Sequence, residues 1–280
     1  LTTCAALLGP RNHRSLHSFG TSFALLQTSP LPIIAHGNSH SHSHIRNNKM
    51  VQGGITSSAA SGTAATMAVQ DSGEWKTFDT STMSGVYGMG ISAVAPRPIA
   101  VITSQSEDGV LNCAPFSYTG LLSHDPPLVC HGICLSRGNK KDTLTNIEHS
   151  KQWVFNLLSE SWVTQANICS EEVDASVSEV DLAGLNTLPS LNVDVPRLAE
   201  ARVSLECELV DTKEIFNDAG KHTTTVVIGR VVRYHVHTSV LSGTEEKPVV
   251  DLEKMKFVGR VGGTTYWPCG EGKAVSMKRP

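Results

Sequence analysis

From about residue 90 the chain breaks into short apolar runs separated by Gly, Pro, Asn and Asp, the pattern of a strand-rich fold. Pro98 to Ser104 is β-branched and apolar at successive positions, which predicts a strand buried on both faces. Asp108-Gly109 supplies a hairpin turn, and a second strand is expected from Val110 to Tyr118. Pro115 lies inside that stretch and predicts a break or bulge, because proline removes a ladder donor. Pro126-Pro127 introduces a third strand, Leu128 to Leu135, with Val129, His131 and Ile133 on one face and Cys130, Gly132 and Cys134 on the other.

Helical spacing is brief. Asp142 is placed as the N-cap of a short helix over Thr143 to His149, and Ser159 or Ser161 caps a second that runs through Ile168. Gln152 to Leu158, Val203 to Val210 and Thr223 to His237 read as strands. Gly229, in the middle of the last, predicts a bulge or a close backbone approach. Residues 171–200 are acidic, carry Gly184, Pro189 and Pro196, and are expected to form a long surface excursion. The expected fold class is β-rich (α+β), and the strand and hairpin count predicts a small closed barrel with short helical insertions.

Composition then divides the chain. Residues 1–70 hold 17 Ser or Thr, no Asp or Glu, and Arg11, Arg14, Arg46 and Lys49, a net charge of +4. The remaining residues carry 19 basic against 26 acidic groups, net −7. Residues 1–74 are therefore read as a tail too polar to offset its ordering entropy, or as a transit peptide, and 75–280 as the folded domain. The alternating His40, His42 and His44 sit in that tail with nothing to fix a coordination geometry. The overall balance of −3 offers no footprint for nucleic acid. No apolar run reaches the ~18 residues of a membrane span, so a soluble chain is expected. Seven scattered cysteines without a CxxC predict reduced thiols in an intracellular protein, and the expected location is cytoplasmic, or mitochondrial if residues 1–70 are a transit peptide.

Three clusters carry the chemistry: Ala95-Pro96-Arg97-Pro98-Ile99-Ala100, Asn112-Cys113-Ala114-Pro115-Phe116-Ser117-Tyr118, and Arg137-Gly138-Asn139-Lys140-Lys141-Asp142-Thr143. Singly each is an ordinary bulged strand or cationic turn. In this order, with Val227-Ile228-Gly229-Arg230-Val231 and Gly259-Arg260-Val261-Gly262-Gly263-Thr264-Thr265-Tyr266 downstream, the chain resembles the flavin-reductase-like family of FMN-binding split β-barrels over 90–268.

The resemblance implies FMN as cofactor, NAD(P)H as co-substrate, and a homodimer with flavin at the subunit interface. It places Lys141, Asp142 and Thr143 at the phosphate. Physical chemistry agrees for Lys141 and Thr143, which offer charge and donors at a helix start, with Arg97 or Lys140 as further cations. Asp142 cannot welcome a phosphate, and its expected part is to hold the loop. Asn112 and Ser117 suit ribityl hydroxyls and the pyrimidine edge, aided by backbone amides at Ala114, Phe116 and Ser117 freed by a bulge at Pro115. Phe116 or Tyr118 could cover the ring, although core packing is the commoner fate. Pro98 and Ile99 accompany Arg97 beside the flavin, and Tyr266 reaches it from the C-terminal segment. His131 could stabilise a reduced flavin or nicotinamide, although a hydrogen-bonded barrel histidine is the commoner case. The expected activity is hydride transfer from NAD(P)H to flavin and on to an acceptor, with no obligatory acid or base. The alternatives are a flavin-binding electron carrier or store, and an oxidase of the pyridoxamine-phosphate type, for which a second Arg- and His-rich phosphate site is lacking.

Overall fold

The computed structural model describes residues 73–269. Helix α1 (Val86–Ala93) leads into a two-residue strand β1 (Arg97–Pro98). Strands β2 (Ala100–Gln105), β3 (Leu111–Phe116), β4 (Thr119–His124) and β5 (Pro127–Cys134) precede helix α2 (Asp142–Ser150) and strand β6 (Gln152–Leu157). Helices α3 (Val163–Ile168) and α4 (Glu179–Ala183) and a small pair, β7 (Thr187–Leu188) with β8 (Arg197–Leu198), come next. The long β9 (Val203–Phe216) and β10 (His222–Val236) follow. The chain then forms β11 (Leu241–Gly243), β12 (Pro248–Val250), α5 (Leu252–Met255), β13 (Val258–Arg260) and β14 (Tyr266–Pro268).

Seven strands pair in the order β3-β2-β6-β9-β10-β5-β4, antiparallel throughout. Consecutive strands β3 and β4 thus stand on opposite edges, and only the Ser117-Tyr118 corner joins them. One apolar interior draws on Ile102, Phe116, Ile133, Trp153, Phe155 and Val227, so the sheet curls round a shared core without closing. This is a split barrel, and not the closed one that the strand count predicts, because β3 and β4 do not pair.

Alternate residues of β2 serve two cores. Ala100 and Ile102 face the interior, while Val101 packs with Cys113, Leu158, Trp162 and Leu198 under α3 and α4. That double burial is why the segment reads as continuously apolar. It also corrects the expectation for residues 171–200. Val180, Ala183, Leu185 and Leu198 cover the outer face of β2, and Val193 with Val195 covers Val154, so the acidic segment is a wall of the domain. Its anchor is Glu206, a buried carboxylate on β9 that accepts from the backbone N–H groups of Leu191, Asn192 and Val193 and pairs with His235.

Pro115 causes no break. It pairs in register with Val101, between Ala114↔Ile102 and Phe116↔Ala100. The N–H of Cys113 points away from β2, onto Glu179 Oε2 at 3.0 Å. Two residues further along the same antiparallel strand, the missing N–H of Pro115 belongs to that outward side, where no ladder bond is lost. Gly229 behaves as anticipated on both counts. The register shifts between Ile228 and Gly229, and a Cβ there would overlap the Trp153 ring. Elements differ as well, and β9 runs on from the expected Val210 to Phe216. Lys141, not Asp142, is the N-cap of α2, and Thr119–His124 forms an edge strand absent from the sequence reading.

Candidate functional site

The site forms where the β3–β4 corner, the start of α2 and the C-terminal strands meet. Two cavities adjoin there. The larger, about 330 Å³, is lined by Phe116, Ser117 and Tyr118 from the corner, Ile99 and Arg97 from the opening segment, and Tyr266 from β14. The smaller, about 190 Å³, takes Asn112, Ala114, Asp142 and Thr143. Pro115, Phe116, Lys141 and Ser170 line both, so the two make one groove with Lys141 at the junction. Every residue expected at the site lines this groove except Pro98, which faces a separate apolar cavity beside Leu157 and Phe257.

Several roles differ from expectation. Arg97 is buried, and its guanidinium donates to the carbonyls of Ile91 (2.5 Å), Val94 (2.7 Å) and Val261 (3.3 Å) and, at 3.4 Å, to Ser117 Oγ. It fastens the end of α1 to the groove and is not a free cation. Lys140 lines the smaller cavity but is paired with Glu148 at 2.7 Å, so it is not a free cation there. Asn112 is buried and donates through Nδ2 to Thr143 Oγ1 (2.9 Å) and Ser104 Oγ (3.1 Å), tying β3 to the first turn of α2. Because the ladder is unbroken at Pro115, the N–H groups of Ala114 and Phe116 turn toward β2 and are not freed for a ligand.

What remains as donors is specific. Lys141 forms no ion pair among the described residues, and it caps a nine-residue helix whose first N–H groups have no intrahelical acceptor. The hydroxyl of Thr143 keeps its hydrogen, since it accepts from Asn112. Glu179 lines the smaller cavity too. Burial pushes its carboxyl up, against the opposing hydrogen bond from Cys113 N–H. Phe116 packs in the barrel core and also faces the groove, whereas Tyr118 is 42% exposed at the rim. Partial burial, then the proximity of Tyr87 and Cys134, raises the Tyr118 phenol above its ordinary range.

Sequence reasoning missed Tyr87, Ile91, Gly132, Cys134, Ser170, Arg260 and Gly263, all of which line the larger cavity. Arg260 and Gly263 stood inside a recognised motif without a role. The others carry no local signal. His131 is fully buried but not hydrogen-bonded. Neither ring nitrogen has a partner among the described residues, and it is packed among Phe116, Trp153 and Phe155.

The chain belongs to the flavin reductase like domain family, whose model matches residues 92–254. An uncharacterised protein of Halalkalibacterium halodurans is 37% identical over 197 residues, covering 69% of this chain and 90% of its own length. Component B of nitrilotriacetate monooxygenase from Bacillus cereus superposes with a TM-score of 0.68 at 28% identity, over 73% of this chain and all of that one. The 2-nitrobenzoate 2-nitroreductase of Pseudomonas fluorescens gives 0.64 at 27% identity, over 72% of this chain and 96% of that one.

Proposed function

We propose that the protein is an FMN-dependent oxidoreductase that draws hydride from NAD(P)H and passes the electrons to an acceptor or to free flavin. The observation that carries this reading is the two-part groove joined at Lys141. The compartments meet at a helix N-terminus with a free lysine and the Thr143 hydroxyl, a donor set matched to a phosphate, while Asp142, Glu171, Glu172 and Glu179 add carboxylates to the lining of the smaller one. The other is walled by Phe116, Ile99, Tyr118 and Tyr266, apolar faces suited to a flat ring system.

The residues present therefore fit FMN. Lys141, Thr143 and the first N–H groups of α2 would hold the phosphate, and Ser117 would meet polar atoms of the ring or chain. Phe116 and Ile99 would line the ring's apolar face and exclude water. A bound flavin would supply the two-electron chemistry, accepting hydride from a reduced nicotinamide. The chain's own part is to bind, orient and shield, and no acid or base is required of it. The related structures named as a monooxygenase component and a nitroreductase are consistent with an oxidoreductase.

A homodimer belongs to the same proposal. Edge strand β4 leaves Leu121 (70% exposed) and Leu122 (50% exposed) uncovered next to the Tyr118 rim, an apolar edge that a second copy would bury. The test is the visible spectrum of the purified full chain with FMN, followed by NADH without oxygen. Prompt bleaching of the flavin band is expected. A bound flavin that NADH and NADPH both leave oxidised would replace the reductase reading with that of a carrier, and failure to bind FMN would remove both.

A further inference from the structure

The larger cavity has an unusual charge balance. Arg97, Lys141 and Arg260 line it, and no Asp or Glu does. The smaller cavity, by contrast, includes Asp142, Glu171, Glu172 and Glu179. Of the three cations, Arg97 is consumed by backbone carbonyls and Lys141 stands at the junction assigned to phosphate. Arg260 is left over.

Arg260 is held from two sides. Its Nη2 donates to the Gly263 carbonyl at 3.1 Å, and its guanidinium carbon lies 4.5 Å from the centre of the Tyr266 ring. Tyr266 is itself fixed, its hydroxyl donating to Asn167 Oδ1 at 3.0 Å. Arg260 makes no ion pair among the described residues, so it presents an unneutralised guanidinium, pre-oriented by stacking, with most of its five N–H donors unused. A guanidinium stacked on an aromatic ring directs its remaining donors in its own plane, the arrangement that receives a two-oxygen anion.

We propose that Arg260 recognises an oxyanion on the non-flavin substrate, and that this substrate couples the oxyanion to an aromatic ring that enters the cavity beside Tyr266. The proposal rests on the flavin reading for the assignment of Lys141. Two sources share the chemistry: the carboxylate of an aromatic electron acceptor, and the phosphates of a nicotinamide dinucleotide.

Calorimetric titration of the full chain with FMN added separates them. The probes are 4-nitrobenzoate against 4-nitrobenzamide, and NAD+ against nicotinamide. The native protein should favour the anionic member of at least one pair by roughly tenfold or more, as a charge-assisted bond implies. Arg260→Gln should abolish that preference, and the pair in which it disappears identifies the source. Arg260→Lys, which keeps the charge but loses the planar fork, should retain part of it and guards against a folding defect in the glutamine variant. Equal binding within both pairs by the native protein, or a preference that survives Arg260→Gln, would overturn the proposal. So would a loss of FMN affinity in Arg260→Gln as large as the loss for the anion, since Arg260 would then belong to the flavin site. If FMN does not bind at all, the flavin reading fails separately, and the same anionic preference measured on the flavin-free chain still decides the role of Arg260.

Discussion

His131 shows how a single residue can be read correctly in place and wrongly in state. Its strand position put it in the barrel interior, but its environment came from elements distant in sequence: Trp153 on β6 lies edge-on at 5.4 Å, and Phe155 at 6.4 Å. Burial without a hydrogen-bond partner drives its pKa from 6.5 down to about 3. Below pH 6.5 the unfolded chain therefore takes up a proton that the folded chain refuses. Stability from this residue is constant above pH 6.5 and falls by about 1.4 kcal/mol per pH unit as pH drops from there toward 3. His131→Leu should remove that slope, and by deleting an orphaned polar group it should cost little at pH 7. Urea unfolding at pH 7 and pH 5 tests this: the variant should gain roughly 2 kcal/mol on the native protein between the two, and parallel losses would show that His131 is not the buried neutral group described. Arg97 teaches the same lesson. The sequence marked it as a cation near the site, but only the end of α1 reveals that the carbonyls of Ile91 and Val94 consume it.

At the scale of elements, two residues expected to interrupt strands had opposite outcomes. Both Gly229 and Pro115 were flagged by residue type, yet type does not say which side of a strand faces a neighbour. Gly229 lies on β10 between two strands, beneath the Trp153 ring, and Gly229→Ala should destabilise the domain by about 1–3 kcal/mol through overpacking. Pro115 sits on edge strand β3 with its absent donor turned outward, and Pro115→Ala should cost no more than about 1 kcal/mol, the freedom regained by the unfolded chain. Denaturant midpoints for the pair settle the matter; a costly Pro115→Ala would mean that its ring, not its missing N–H, is what the strand requires. The strands of the barrel interior were legible because burial imposed a pattern on them. Strand β4 was not. Its Leu121 and Leu122 face solvent across an irregularity between Leu121 and Ser123, so no alternation survives in the sequence. Residues 171–200 were misjudged for the converse reason: Val180, Leu185, Val193, Val195 and Leu198 are too widely spaced to form a run, and they become a surface only when the chain folds back on β2 and β6.

For the whole molecule, the groove, the β4 edge and α1 belong to one argument. Tyr87 on α1 is 72% exposed and lines the larger cavity, Tyr118 stands at its rim, and Leu121 and Leu122 continue the apolar surface along an edge that no further strand pairs among the described residues. A monomer would leave all of this in water beside a cavity meant to exclude it. A second copy packed on that edge would bury the leucines and narrow the cavity mouth together, so dimerisation and flavin affinity should rise and fall as one. Leu121→Asp is the discriminating change, because it places a charge on an exposed position and leaves the barrel interior intact. Light scattering should find the native full chain as a dimer and the variant as a monomer, and the variant's affinity for FMN should fall by tenfold or more, about 1.4 kcal/mol. A variant that dissociates but keeps its flavin would separate the interface from the site, making each subunit's groove sufficient. A variant that stays dimeric would move the interface away from β4 and leave the exposed leucines without a partner.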